Sequence, residues 1–109
     1  MPFTAICQAT WFERRRVIFL VNPYLELVMH DGNKMRTFAR DVSEIELVWH
    51  RDEADRKVTV IQGEGWKFQY DNELPIQLKE GDVFTIEAMK YHRIIKGQTE
   101  LVLLIHEEL

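Results

Sequence analysis

Turn-forming residues punctuate this chain so closely that a long helix has little room to form. Asn22-Pro23, Asp31-Gly32, Asp41-Val42-Ser43, the charged loop Arg51–Arg56, Gln62-Gly63-Glu64-Gly65, Asp71-Asn72 and Gly81-Asp82 follow one another at spacings of about eight to twelve residues. Between them apolar residues recur with the period of a strand. Trp66, Phe68 and Tyr70 alternate with Lys67 and Gln69, which predicts a strand with its aromatic side inward and its polar side in water. Leu25, Leu27 and Met29 alternate with Glu26, Val28 and His30, and Asn33–Ala39 returns after Asp31-Gly32. That pair predicts a two-residue type I′ turn, with positive φ at both central positions and His30 exposed beside it.

The remaining segments extend the pattern. Thr4–Glu13 fits a short helix or a strand equally well, and Val17–Val21 reads as a buried strand stopped by Asn22-Pro23. Glu44–His50 is expected to be a strand, with Ile45, Leu47 and Trp49 on one face and Glu44, Glu46, Val48 and His50 on the other. An apolar strip of that size needs a cover: a second sheet, the amino-terminal segment, or a second subunit in a homodimer. Lys57–Ile61 is a strand with Arg56, Val58 and Val60 on one parity; Pro75–Leu78 and Val83–Ile86 are short strands, and another begins at His92. Thr99–Ile105 is apolar on both faces and should be central, with His106-Glu107-Glu108 ending in solvent. Eight or more short strands make an all-β sandwich or small barrel, one domain over residues 1–109.

Composition narrows the function. The 109 residues are 46% hydrophobic and 29% charged, as in a globular protein able to bury a core. A net charge of −4 argues against nucleic acid as a partner, and Arg14-Arg15-Arg16 reads as a solvated strand entrance. Cys7 is the only cysteine, which excludes an intramolecular disulfide or a thiolate cluster and suits a buried thiol in a reducing compartment. The amino terminus shows no apolar signal core and Val17–Val21 is far short of the ~20 residues of a membrane span, so a cytoplasmic protein without a membrane partner is expected. No Ser or Cys stands in a nucleophile motif and no glycine-rich phosphate loop precedes a helix. Glu44 and Glu46 read as a solvated edge, not an acid–base pair.

From His50 to Ile105 the order of motifs resembles that of the cupin superfamily, whose fold is a double-stranded β-helix (jelly-roll) barrel. In that family an early His-x-His, a Glu and a Gly precede a later motif of Gly, Pro-x-Gly, His and Asn. Gly81 and His92 match the later Gly and His with the spacing intact, and Gly63 matches the Gly of the early motif. Counting back from Gly63 places Arg56 at the glutamate, Asp52 at the second histidine and His50 at the first. Glu87, Met89 and Lys96 replace the family's Pro, Gly and Asn. The motifs lie within residues 44–106, and residues 1–43 would complete the barrel or a dimer interface with extra strands or a short helix.

The resemblance implies one divalent metal (Fe, Mn, Ni or Zn) on His50, Asp52 and His92, the two-imidazole, one-carboxylate set of a non-haem facial triad. With it would go oxygenase, isomerase or lyase chemistry. Arg56 cannot serve as the fourth ligand, because guanidinium offers no lone pair. A metal therefore requires Arg56 to bend away or to pair with Glu53 or Asp55. In the alternative, Arg56 pairs with Asp52 in the metal's electrostatic place. A small polar or anionic ligand then occupies a metal-free pocket formed by Arg56, His50, His92 and the Trp66/Phe68/Tyr70 face. Two further readings are a plain buried Arg56–Asp52 pair, and a non-catalytic assembly module working through the Ile45/Leu47/Trp49 strip.

Overall fold

The computed structural model describes residues 23–108, so the expectations for Thr4–Glu13, Cys7, Arg14-Arg15-Arg16 and Val17–Val21 lie outside the described residues. Eight strands run in chain order: β1 Leu25–Val28, β2 Lys34–Phe38, β3 Asp55–Gln62, β4 Lys67–Tyr70, β5 Ile76–Gln77, β6 Val83–Ile86, β7 His92–Ile95 and β8 Leu101–Glu108. They form two antiparallel sheets, one ordered β1-β2-β8-β3-β6 and the other β5-β4-β7. The fold is an all-β jelly-roll barrel. Among the described residues no helix is long and apolar enough to cross a membrane.

The two sheets meet over a core to which almost every strand contributes its inward parity. Phe38 from β2, Val58 and Val60 from β3, Phe68 from β4, Ile86 from β6 and Leu101, Leu103 and Ile105 from β8 are buried. Trp66, just before β4, is fully buried and donates its indole N–H to the Thr99 carbonyl at 2.7 Å. Both faces of β8 are apolar because it lies between β2 and β3 in the larger sheet, as its sequence requires.

Three local expectations are corrected. The β1–β2 hairpin turns through three residues, not two: Met29 N donates to Asn33 O at 2.7 Å, and Gly32 alone in the turn has positive φ, +88°. Only the glycine takes the left-handed conformation, so Asp31 avoids the strain that a type I′ turn would place on it.

Glu44–His50 is not a strand. Ser43 adopts an extended conformation and its hydroxyl accepts from Ile45 N at 3.3 Å, which starts a 3-10 turn over Glu44–Glu46. That turn destroys the period of two. Ile45 is left 86% exposed while Leu47 packs against the core, and Trp49 lies across the chain under the Arg93 guanidinium, 4.5 Å from its ring centre. Ile45, Leu47 and Trp49 therefore do not share the single strand face expected of them.

β8 does not stop at Ile105. Its ladder with β3 continues through Arg56↔Glu107 and Asp55↔Glu108, which returns Glu107 to the inward parity of Leu103 and Ile105.

Candidate metal centre

Two stretches of chain cross at one end of the barrel. The irregular segment after the 3-10 turn meets the start of β7 in a single isolated bridge, in which His50 N donates to His92 O at 3.0 Å and His92 N donates to His50 O at 2.9 Å. Two residues on, the Asp52 carbonyl accepts from Met89 N at 2.7 Å. Met89 has φ +64°, the left-handed conformation that glycine prefers, at the place where the cupin motif has its second glycine.

This crossing gathers His50, Asp52 and His92, with one ligand atom of each within 4.8 Å of the others. The histidine rings are 4.4 Å apart, and His92 is buried against Phe68 at 5.5 Å. Each imidazole is oriented the same way: His50 Nδ1 lies 3.1 Å from Val48 O and His92 Nδ1 lies 2.8 Å from Lys90 O. A carbonyl oxygen only accepts, so both Nδ1 atoms carry a proton, and in the neutral form of either ring the lone pair lies on Nε2. Burial pushes the His92 pKa below its ordinary value, against the Lys90 hydrogen bond, and His50 and Arg56 outweigh Asp52 in the same direction. His92 is a neutral donor.

Asp52 Oδ2 stands 3.3 Å from His92 Nε2. It is buried and has no hydrogen-bond partner among the described residues. A carboxylate oxygen and a ring nitrogen thus face one another without a hydrogen bond, an arrangement that costs free energy in a low-dielectric site unless a proton or a cation bridges them. This orphaned oxygen and the donor chemistry fit a divalent metal, with backbone carbonyls fixing both rings as outer partners commonly do. The His50–Asp52–His92 group could hold a metal.

Arg56 is placed as neither pairing anticipated alone. Its Nε and a terminal nitrogen donate to Glu107 Oε2 at 3.0 and 2.7 Å, while its other terminal nitrogen lies 3.6 Å from Asp52 Oδ1. Asp55 instead accepts from Ala88 N at 2.7 Å. A lone guanidinium about 5 Å from a cation would oppose it by roughly 3 kcal/mol per unit charge at an effective dielectric near 20. Here the Glu107 carboxylate largely offsets that. Burial raises the Glu107 pKa, but the Arg56 hydrogen bond and the charges of Arg56, Lys34 and Arg36 carry it below its ordinary value.

A cavity of about 290 Å³ opens onto the three donors and Arg56. Its walls are mostly apolar, among them Phe38, Leu47, Val58, Ile94, Leu103 and Ile105. Trp66, Phe68 and Tyr70 do not line it. Trp66 fills the opposite end of the core, Phe68 backs His92, and the Tyr70 hydroxyl donates to Thr85 O at 3.1 Å and accepts from Glu87 N at 3.0 Å. The cavity wall also holds Arg36, buried, clamped on Glu26 Oε1 at 2.6 and 3.0 Å and stacked 3.8 Å over Tyr24. Neither Arg36 nor Glu107 was singled out from the sequence, though both share the inward parity of their strands.

Taken together, the double antiparallel sheet, the buried His92, the half-buried Asp52 and the exposed His50 at the cavity mouth define a small jelly-roll protein with a candidate mononuclear metal centre. No protein-family model matches the sequence, and no curated protein matches it. Solved structures do: a cupin domain from Bordetella pertussis aligns with 81% of this chain and 96% of its own at 18% identity and a TM-score of 0.59. A cupin-2 domain protein from Shewanella frigidimarina aligns over 78% and 79% at 17% identity and a TM-score of 0.57. A conserved protein of unknown function from Streptococcus pyogenes aligns over 93% of both chains at 19% identity and a TM-score of 0.56. The chain has the cupin fold.

Proposed function

We propose that this protein binds one divalent metal on His50, Asp52 and His92 and a small polar or anionic ligand in the adjoining cavity. The observation that carries this reading is the buried, unpartnered Asp52 Oδ2 facing the lone pair of His92 Nε2. Three protein donors leave coordination positions open, so a bound metal would supply a Lewis-acid centre at the cavity wall. The protein's own residues contribute the rest. Val48 O and Lys90 O hold the two rings, apolar walls exclude water, and Arg56 supplies a fixed cation beside the site.

Oxygenase, isomerase and lyase activities all suit such a centre, and the proposal extends to that class of metal-dependent chemistry without choosing among Fe, Mn, Ni and Zn. The test is elemental analysis of protein purified without added metal, for wild type and His92→Ala. One equivalent of a transition metal is expected in wild type and none in the variant. Metal-free wild type that shows no thermal shift with added Mn(II), Fe(II), Ni(II) or Zn(II) refutes the proposal.

A further inference from the structure

A line of alternating charges runs from the surface into the metal centre. Lys34 Nζ lies 3.7 Å from Glu107 Oε1, Glu107 Oε2 takes two nitrogens of Arg56, and Arg56 lies 3.6 Å from Asp52 Oδ1. Asp52 Oδ2 then faces His92. Both carboxylates are divided, one oxygen to each neighbour. The line brings together residues remote in sequence: β8 supplies Glu107, β3 supplies Arg56, and the bridging segment supplies Asp52.

We infer that Arg56, braced by Glu107, is a positioning residue for the metal: it engages Asp52 through Oδ1 so that Oδ2 alone is offered to the cation. The inference rests on the metal reading above. Four features support it. Asp52 is engaged at two points, its backbone carbonyl by a hydrogen bond from Met89 N and its carboxylate by the Arg56 ion pair at 3.6 Å. The oxygen that Arg56 contacts is the one turned away from His92, and the other is the one without a partner. The guanidinium does not enter the donor cluster, because two of its nitrogens are committed to Glu107. Arg56 has no lone pair to give a cation, so its place beside the cluster suits it to holding Asp52 and not to ligating.

This role has an unusual sign. Simple electrostatics says that removing a cation beside a metal site tightens metal binding. Positioning says that removing Arg56 loosens it, because Asp52 is freed to rotate and to chelate with both oxygens or neither. Losing an outer partner of a ligand typically weakens metal affinity by about 10- to 100-fold.

The experiment is competition for Zn(II) against a chromophoric chelator, using full-length wild type, Arg56→Met, Arg56→Lys and Glu107→Gln. The thermal midpoint of each apo-protein is recorded as the folding control. The expected result is an affinity loss of about 10- to 100-fold for Arg56→Met and Glu107→Gln in folded apo-protein. Partial recovery is expected for Arg56→Lys, whose single ammonium cannot hold Glu107 and Asp52 in the fork geometry of arginine. Wild type and Arg56→Met binding Zn(II) equally, or Arg56→Met binding more tightly, overturns the inference and leaves the metal reading intact. Wild type that fails to bind overturns both. Should Arg56→Met not fold, Glu107→Gln carries the test, and unchanged affinity there overturns the inference.

Discussion

Replacing Asp52 with Asn should stabilise the metal-free protein and remove the carboxylate donor of the proposed metal site. In the apo-protein, Asp52 Oδ2 is buried without a partner, 3.3 Å from the lone pair of His92 Nε2. Leaving such a group unsatisfied costs about 1–3 kcal/mol. An Asn side chain fits the same space and can place its amide nitrogen at the Oδ2 position, turning an acceptor–acceptor contact into an N–H···N hydrogen bond. Its remaining oxygen still faces Arg56, 3.6 Å away, and loses an ion-pair attraction worth about 1 kcal/mol at that separation. Arg56 is not orphaned, because Glu107 keeps it paired. The net gain is therefore about 1 kcal/mol, or a rise of about 4–8 °C in the thermal midpoint of a domain this size.

Metal should invert the order. At a free metal concentration of 100 Kd the wild type gains about 2.7 kcal/mol by linkage, and Asp52→Asn, lacking the carboxylate, gains little. The assay is thermal unfolding of both proteins in excess chelator and in excess Zn(II) or Mn(II). The reasoning is refuted if Asp52→Asn is the less stable protein in chelator, or if metal raises both midpoints equally.

Three further outcomes are expected. Arg56 and its neighbouring cations hold Glu107 below its ordinary value of 4.5, so its contribution to stability is complete above that pH and fades as pH falls through the folded-state value; urea unfolding of wild type and Glu107→Gln should differ most at pH 7, and the difference should shrink progressively as pH falls below 4.5. Met89→Gly relieves a left-handed non-glycine residue worth about 1–2 kcal/mol while adding about 0.5–1 kcal/mol of unfolded-state entropy, so it should unfold at equal or slightly higher urea than wild type, and a loss above about 1 kcal/mol would contradict the strain argument. Gly97→Ala should cost about 1–3 kcal/mol in urea unfolding, because the added methyl would come within 2.5 Å of Glu64 O and Trp66 N and closer still to the Trp66 ring; an unchanged midpoint would show that this corner yields.

Alternation along the strands was the legible part of this fold. Val58, Val60 and Phe68 all point where a period of two puts them, and the two-faced hydrophobicity of Leu101–Ile105 marks the central strand. What alternation does not carry is position along the barrel axis. Trp66, Phe68 and Tyr70 share a face, but the pairing Tyr70↔His92 sets the level of the metal centre, and Trp66 stands four residues, roughly 13 Å, further down. Inwardness was readable; membership of the site was not. Glu44–His50 misled for a different reason: a Ser43 cap competes locally with strand geometry, and a short alternating segment carries no signal of which wins. Glu107 was missed because charged residues near a carboxy terminus read as solvated, although the parity of Leu103 and Ile105 continues through it. His50, Asp52 and His92 were accessible only through motif spacing, because their meeting depends on one long-range bridge.

That bridge bears on how fast a metal would leave. The backbone pairing between His50 and His92 is an isolated bridge of two hydrogen bonds, and on the His50 side its nearest support is the single Met89 N to Asp52 O bond two residues on. Isolated pairs of this kind open on their own, at a free energy well below that of global unfolding. Release of a cation would then follow the breathing of this one contact, while the eight-stranded barrel behind it stays shut. Amide exchange at His50 and His92 would report the same opening, and a resident metal would slow the two exchange rates together.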